Sequence, residues 1–182
     1  MNWNPNEISF RKLEDSDLKL IHRWLNAPDV SRWWKIDGKR NPSYEEVIKH
    51  FLPGIRGSDP TKCFTVIYEN IKIAFIQSAQ IGDNPRYEEA LGLDNNTVSI
   101  DIFIGEEKYI HRGLGSLIIK AFLRDIAFKI YNTEVCSIDP DPENKIAIRA
   151  YEKCGFRYIK TKWNPIDKVW AYIMIINKES VY

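Results

Sequence analysis

The stretch Asp101–Ser116, DIFIGEEKYIHRGLGS, restricts the folds open to this chain more than any other. An apolar strand pattern runs through a charged loop into Gly113-Leu114-Gly115-Ser116. The apolar run Leu117-Ile118-Ile119-Lys120-Ala121-Phe122-Leu123 follows at once, so the glycines fall where a strand–loop–helix unit opens its helix. Glycine there lets the backbone turn tightly and brings bare N–H groups close to a ligand. The first N–H groups of a helix have no partner inside it and carry the positive end of its dipole, which suits a diphosphate. Taken alone, a Gly-x-Gly before a helix serves close helix–strand packing equally well. The stretch lacks both the Gly-Lys-Ser/Thr of a P-loop and the third glycine of a dinucleotide fingerprint. Support comes from Asp139–Phe156, DPDPENKIAIRAYEKCGF, which combines a strand end, a helix start at Glu143-Asn144, and Tyr151 one turn before Cys154-Gly155-Phe156.

Along the rest of the chain, Ile8, Phe10 and Leu13 predict a first strand ending at Glu14-Asp15. Asp15 or Ser16 then caps a helix in which Leu18, Ile21 and Leu25 recur at helical spacing, and Pro28 breaks it. Trp33-Trp34 lies in a loop. Ser43 and Glu46 form a capping box opening a helix that is expected to stop at Pro53-Gly54. Lys62–Glu69 and Ile71–Ile81 read as an antiparallel hairpin across Glu69-Asn70. Residues 82–96, turn-rich and acidic, are too long for a hairpin connection and read as a functional loop. Val98–Ile104 is the expected central strand, with a helix to about Ile130 after the glycines. Glu134–Ile138 is a strand, Glu143–Cys154 a helix, and Phe156–Trp163 with Val169–Ile176 a closing hairpin across Asn164-Pro165. The order βααβββαβαββ predicts an α/β (α+β) fold with a mixed, mostly antiparallel central sheet flanked by helices, formed by residues 1–182 as a single domain.

At 182 residues, 44% hydrophobic and 28% charged, the composition is that of a globular chain with a sizeable core. A net charge of +1 with scattered basic residues argues against a nucleic-acid face or a polybasic membrane anchor. The N-terminal MNWNPNEISFRK has no apolar signal region, and no apolar run is long enough to span a bilayer, so the expectation is a cytoplasmic protein. Cys63, Cys136 and Cys154 fall inside predicted strands or helices and read as buried thiols. Neither they nor His22, His50 and His111 show ligand spacing, and no metal is implied.

The pair of segments, R-G-x-G followed by N-x-x-A-x-x-x-Y-x-x-x-G-F (Asn144, Ala147, Tyr151, Gly155, Phe156), resembles the acetyl-CoA signature of the Gcn5-related N-acetyltransferases (GNAT). The likeness covers nearly the whole chain; one departure is Ile110, where the family often has Gln or Arg. The resemblance implies the GNAT fold and acetyl-CoA as co-substrate, held by Phe103, Ile104, His111, Arg112, Gly113, Leu114, Gly115, Ser116, Asn144 and Ala147. It also implies that a backbone N–H near Phe103 meets the thioester oxygen, and that Tyr151 protonates the departing thiolate.

Further pieces are similar to the aminoglycoside 6'-N-acetyltransferases: Trp24-Leu25-Asn26, Trp33-Trp34, Phe51-Leu52-Pro53, Gln77-Ser78, Ile100-Asp101 and the run from Asp139. That narrower resemblance implies acetyl transfer to the 6'-amine of these antibiotics, and with it resistance. Asp101 becomes the base or amine anchor, Trp34 a wall for sugar rings, and Asp139 and Asp167 carboxylates of the substrate cleft. On the residues alone, Asp101 is either a cleft carboxylate or a solvated edge one, since burial without a partner is costly. Tyr151 is either the acid or a packing aromatic. Aminoglycosides are polycations, so Asp83, Tyr87, Glu88, Glu89 and Asp94 of the long loop suit their recognition, with Tyr87 and Glu88 the chosen candidates; Arg86 among them departs from the family. The expected partner is a small molecule, with neither nucleic acid nor membrane involved and the protein a monomer or homodimer. The alternatives are acetylation of another amine (a polyamine, a siderophore precursor, a protein N-terminus) and a noncatalytic acyl-CoA-binding module.

Overall fold

The computed structural model describes residues 3–181. Its strands are β1 (Ile8–Lys12), β2 (Lys62–Tyr68), β3 (Ile71–Gln80), β4 (Val98–Ile104), β5 (Val135–Ile138), β6 (Arg157–Asn164) and β7 (Val169–Asn177). Its helices are α1 (Leu18–Leu25), α2 (Pro28–Ser31), α3 (Tyr44–Arg56), α4 (Pro85–Leu91), α5 (Leu114–Phe122), α6 (Phe128–Ile130) and α7 (Lys145–Cys154). The strands form one seven-stranded sheet in the order β1-β2-β3-β4-β5-β7-β6. Pairing is antiparallel at β1–β2, β5–β7 and β6–β7 and parallel at β4–β5. This is the mixed, mostly antiparallel sheet expected. Among the described residues, no helix is long and apolar enough to cross a membrane. The chain divides into two compact units, one made of the chain up to Gln77 with Ile102–Leu114, the other of Ser78–Asp101 with the chain from Gly115 onward.

In the first unit, α1 turns Leu18, Ile21, Trp24 and Leu25 inward, and α3 adds Val47 and Phe51. Phe75 stacks on Phe103 with ring centres 5.3 Å apart, and Phe51 meets Phe75 edge-on at 5.2 Å. Fully buried rings of this size each contribute about 1.5–3 kcal/mol by leaving water. Trp24 fits only because residue 105 is glycine: a Cβ there would lie 2.1 Å from the indole. The indole Nε1 donates to Glu106 Oε1 at 2.9 Å.

One buried charge is built into this unit. Asp17 has no exposed surface, and it accepts from Arg11 at 2.7 and 2.8 Å, Lys72 at 2.7 Å, Thr65 at 3.2 Å and the Glu14 N–H at 3.1 Å. Burial alone would raise its pKa; Lys72, the Glu14 N–H and Arg11 together outweigh burial and hold the carboxyl below its ordinary value. Two helix boundaries differ from expectation. The chain before α1 is closed by a capping box between Glu14 and Asp17 rather than by Asp15 or Ser16, because Asp17 is the carboxylate that reaches back to the Glu14 N–H. Pro53 lies inside α3, which runs on to Arg56 and stops at left-handed Gly57; the expected capping box of Ser43 and Glu46 is present. Pro28 opens the new turn α2 as its first residue, a position where its missing N–H costs nothing.

In the second unit, the stretch 82–96 is not a plain loop. Asn84 accepts the Tyr87 N–H, Pro85 starts α4, and left-handed Gly92 ends it. The long helix after the glycines is interrupted by a π turn at Leu123–Ala127 before α6. α7 starts two residues later than expected, with Asn144 as its cap and left-handed Gly155 at its end. The hairpin β6–β7 turns through residues 165–168 and carries a bulge between Tyr158 and Lys160.

Candidate active site

The second unit gathers carboxylates. β4 pairs with β5 at Val98↔Cys136 and Ser99↔Ser137, and there the recorded pairing stops. Asp101 lies on β4 two residues past the last pair. Asp139 follows β5, fixed on both sides: Ile138 pairs with Met174, and Pro140 O accepts the Tyr172 N–H at 2.9 Å. Asp167 sits in the β6–β7 turn. Its Oδ2 accepts from Asn164 Nδ2 at 2.8 Å and from the Tyr87 hydroxyl.

Tyr87 is held there by its helix. Its ring packs on Ile81, Leu91, Ala171 and Ile173. Lys160 Nζ donates to Gly92 O at 2.6 Å and Lys162 Nζ to Glu89 O at 2.8 Å. These place two cations of β6 on the carbonyl end of α4, where a helix dipole favours positive charge.

Asp101 and Asp167 both act on Asp139. Dense packing around the Asp139 carboxyl, then Asp101 and Asp167, raise its pKa well above the ordinary range, although the residue keeps some accessible surface. Tyr87 is raised by burial first, then by its bond to Asp167 and by the charges of Asp167, Asp101 and Asp139. Tyr151 is raised by burial, then by Asp101, Cys154 and Asp139, so its phenol remains a proton donor at neutral pH. Burial and then Asp101 raise Cys136, and burial takes Cys154 up to about 11 against the bond to Ser116 and the charge of Lys120. The two charges that raise Asp139 are both carboxylates, and a cation or a proton close to it would relieve their repulsion.

The other predicted residues fall as follows. Tyr151 stands on α7 with its ring 6.2 Å from Phe156. Glu88 is half-buried on α4, beside Tyr87 in sequence. His111 and Gly113 both have positive φ, 58° and 82°, so the chain makes a tight turn just before α5, and a Cβ at Gly113 would meet nothing within 4 Å. Arg112 is exposed and its carbonyl accepts the Trp3 indole at 2.8 Å. The Leu114 side chain is fully buried, which leaves its backbone as the part that can meet a ligand. Gly115 and Ser116 form the first turn of α5; the Ser116 hydroxyl donates to Ala150 O at 3.3 Å and its carbonyl accepts from Cys154 Sγ at 3.5 Å, tying α5 to α7. The Asn144 side chain is occupied in capping the Ala147 N–H at 3.2 Å. Ile104 is half-buried at the end of β4. Phe103 is buried in the first unit, with Trp34 edge-on at 4.9 Å, so Trp34 is in part a core residue of that unit.

Asn164, fully buried, was not among the expected site residues; its signal was the Asn-Pro-x-Asp turn pattern, which reads first as a bend in the chain. A cavity of about 390 Å³ is bounded by Arg86, Glu89, Ala90, Lys162, Trp163, Pro165 and Ile166; of the acidic loop residues expected to suit a polycation it contains Glu89 alone, and neither Tyr87 nor Glu88.

Residues 14–162 match the model of the acetyltransferase (GNAT) domain, and the chain belongs to that family. It is 26% identical to the aminoglycoside N(6')-acetyltransferase type 1 of Klebsiella pneumoniae over 166 residues, 89% of this chain and 80% of that one. It is 29% identical to the spermine/spermidine N(1)-acetyltransferase of Bacillus subtilis over 116 residues, 64% of this chain and 72% of that one. Its fold is similar to that of AAC(6')-Ib solved with ribostamycin and coenzyme A, with a TM-score of 0.84, 24% identity, and coverage of 96% of this chain and 95% of that one.

Proposed function

We propose that this acetyltransferase acetylates aminoglycosides at the 6'-amine with acetyl-CoA as donor, and so confers resistance, working as a cytoplasmic monomer or homodimer. The observation that carries the reading is that Asp101 and Asp167 both act on Asp139, and that Asp101 and Asp139 both act on the phenols of Tyr87 and Tyr151. A polyamino sugar brings ammonium groups that carboxylates bind through charge-assisted hydrogen bonds. The named relative from Klebsiella pneumoniae supports this choice of acceptor.

The glycine turn fits the donor: left-handed His111 and Gly113 precede the free N–H groups of the first turn of α5, and nothing fills the space at Gly113. When bound, acetyl-CoA supplies an activated acyl carbon. Asp101 anchors the acceptor and takes the amine proton directly or through water, and only the neutral amine attacks. As the new N–C bond forms and the C–S bond breaks, the Tyr151 hydroxyl gives its proton to the departing sulfur. Its raised pKa keeps the phenol protonated until that step. Asp139, Asp167 and Tyr87 hold the remaining ammonium groups, with Glu88 close by in sequence.

A polyamine is the second reading, favoured by the Bacillus subtilis relative. The test is coenzyme A release with acetyl-CoA and kanamycin, tobramycin, amikacin or gentamicin, beside spermidine and lysine, with the acetylated position mapped by NMR. Turnover confined to aminoglycosides bearing a free 6'-amine supports the proposal. Turnover of spermidine alone transfers the cluster to a linear polyamine.

A further inference from the structure

Asn164 ends β6 with no exposed surface, and all its amide contacts serve one turn. Its Oδ1 accepts from the Ile166 N–H at 3.0 Å and the Asp167 N–H at 3.4 Å, while its Nδ2 donates to Asp167 Oδ2 at 2.8 Å. Serine or aspartate can accept in such a turn. Only the amide both accepts from the turn and presents a nitrogen donor to the carboxylate it carries. The Tyr87 hydroxyl donates to the same Oδ2. Both side-chain bonds to Asp167 therefore fall on one oxygen, and among the described residues Oδ1 accepts none.

We infer that Asn164 is the positioning residue of the acidic cluster: it fixes the Asp167 carboxylate through Oδ2 so that Oδ1 is held ready for an ammonium group of a polycationic substrate. A carboxylate on a turn ordinarily rotates, and ordering it on binding costs affinity; here the cost is met in advance by folding. Asn164 touches no substrate itself. The inference rests on the proposed polycation site and specifies which residue orients it.

The test measures the dissociation constants of kanamycin and spermidine by calorimetry on the full chain, with steady-state KM and kcat beside them, for Asn164→Ala in the wild-type and Asp167→Ala backgrounds. The expected result is a rise of about tenfold in the polycation's Kd and KM, with the acetyl-CoA KM unchanged and kcat within threefold. In the Asp167→Ala background the same substitution has no further effect on Kd, although its cost in melting temperature persists. An unchanged Kd, or the same factor in both backgrounds, overturns the assignment and leaves Asn164 a turn former. Should Asn164→Ala not fold, Asn164→Asp keeps both turn acceptors and lacks the donor. It is expected to weaken binding although it adds a negative charge, and tighter binding overturns the inference. A wild-type protein that binds neither polycation sinks the reading of the cluster itself, whereas wild-type binding with an absent or additive Asn164 effect sinks only the positioning role.

Discussion

Asp17 and Asp139 are two enclosed carboxyls with opposite surroundings, and they give opposite pH dependence. Asp17 faces Arg11 and Lys72 and its pKa is lowered. The native state then binds fewer protons than the unfolded chain, so its contribution is complete above the ordinary aspartate value of about 3.9 and is lost as pH falls below it. Asp139 faces Asp101 and Asp167 and its pKa is raised. The native state binds more protons there, so stability is greatest below that ordinary value and declines as pH climbs toward the raised one. Thermal melts of Asp139→Asn between pH 4 and 8 should show the variant gaining on the wild type as pH increases; a constant difference would mean that Asp139 is ionised throughout. For catalysis, Asp101→Asn should lower kcat/KM by about 10²–10⁴, the usual range for a general base, with acetyl-CoA affinity kept. Tyr151→Phe should lower kcat in the same range for a general acid, and an unchanged rate with every substrate would return the ring to a packing role against Phe156.

At the scale of elements, Gly105→Ala drives a methyl into Trp24 and should destabilise the protein by about 1–3 kcal/mol or more, read from chemical denaturation. Replacing Lys160 and Lys162 by methionine removes the cations from the carbonyl end of α4. Hydrogen exchange should then speed up in α4 and leave α3 unchanged. Most elements were legible in the chain. The Ser43 capping box, the β2–β3 hairpin and the glycine that ends α7 follow from local chemistry, and Glu69 and Asn70 both take positive φ, as a tight hairpin turn demands. What was not legible depended on context. α4 is short and its composition reads as turn, although Asn84 and Pro85 did carry a start signal. Pro53 lies in the last turn of α3, which runs on to Arg56 and ends at left-handed Gly57, a continuation that the Pro-Gly pair does not announce. The π turn at Leu123–Ala127 has no local marker.

Across the whole molecule, 26 basic and 25 acidic residues nearly cancel, so on the proposed function attraction of a polycation falls to the gathered acids and not to a net field. Raising ionic strength from about 0.1 to about 1 M shortens screening from about 10 to 3 Å, and should raise the KM of kanamycin more steeply than that of a monoamine. Equal slopes would place recognition outside the carboxylates. The individual acids were readable as polar residues in strand or turn positions, but their convergence on Tyr87 joins segments far apart in sequence, which no local pattern encodes. Asn164 was hidden for the same reason, since its importance lies in what Asp167 does. The closing hairpin has one more consequence. Trp163 and Trp170 face each other across β6 and β7, both partly exposed, with ring centres 5.8 Å apart at 70°. Two indoles so close and so inclined couple their electronic transitions, giving a paired band of opposite signs in circular dichroism. That optical label sits at the mouth of the turn that carries Asp167, and its amplitude tracks whether this hairpin is formed, independently of turnover.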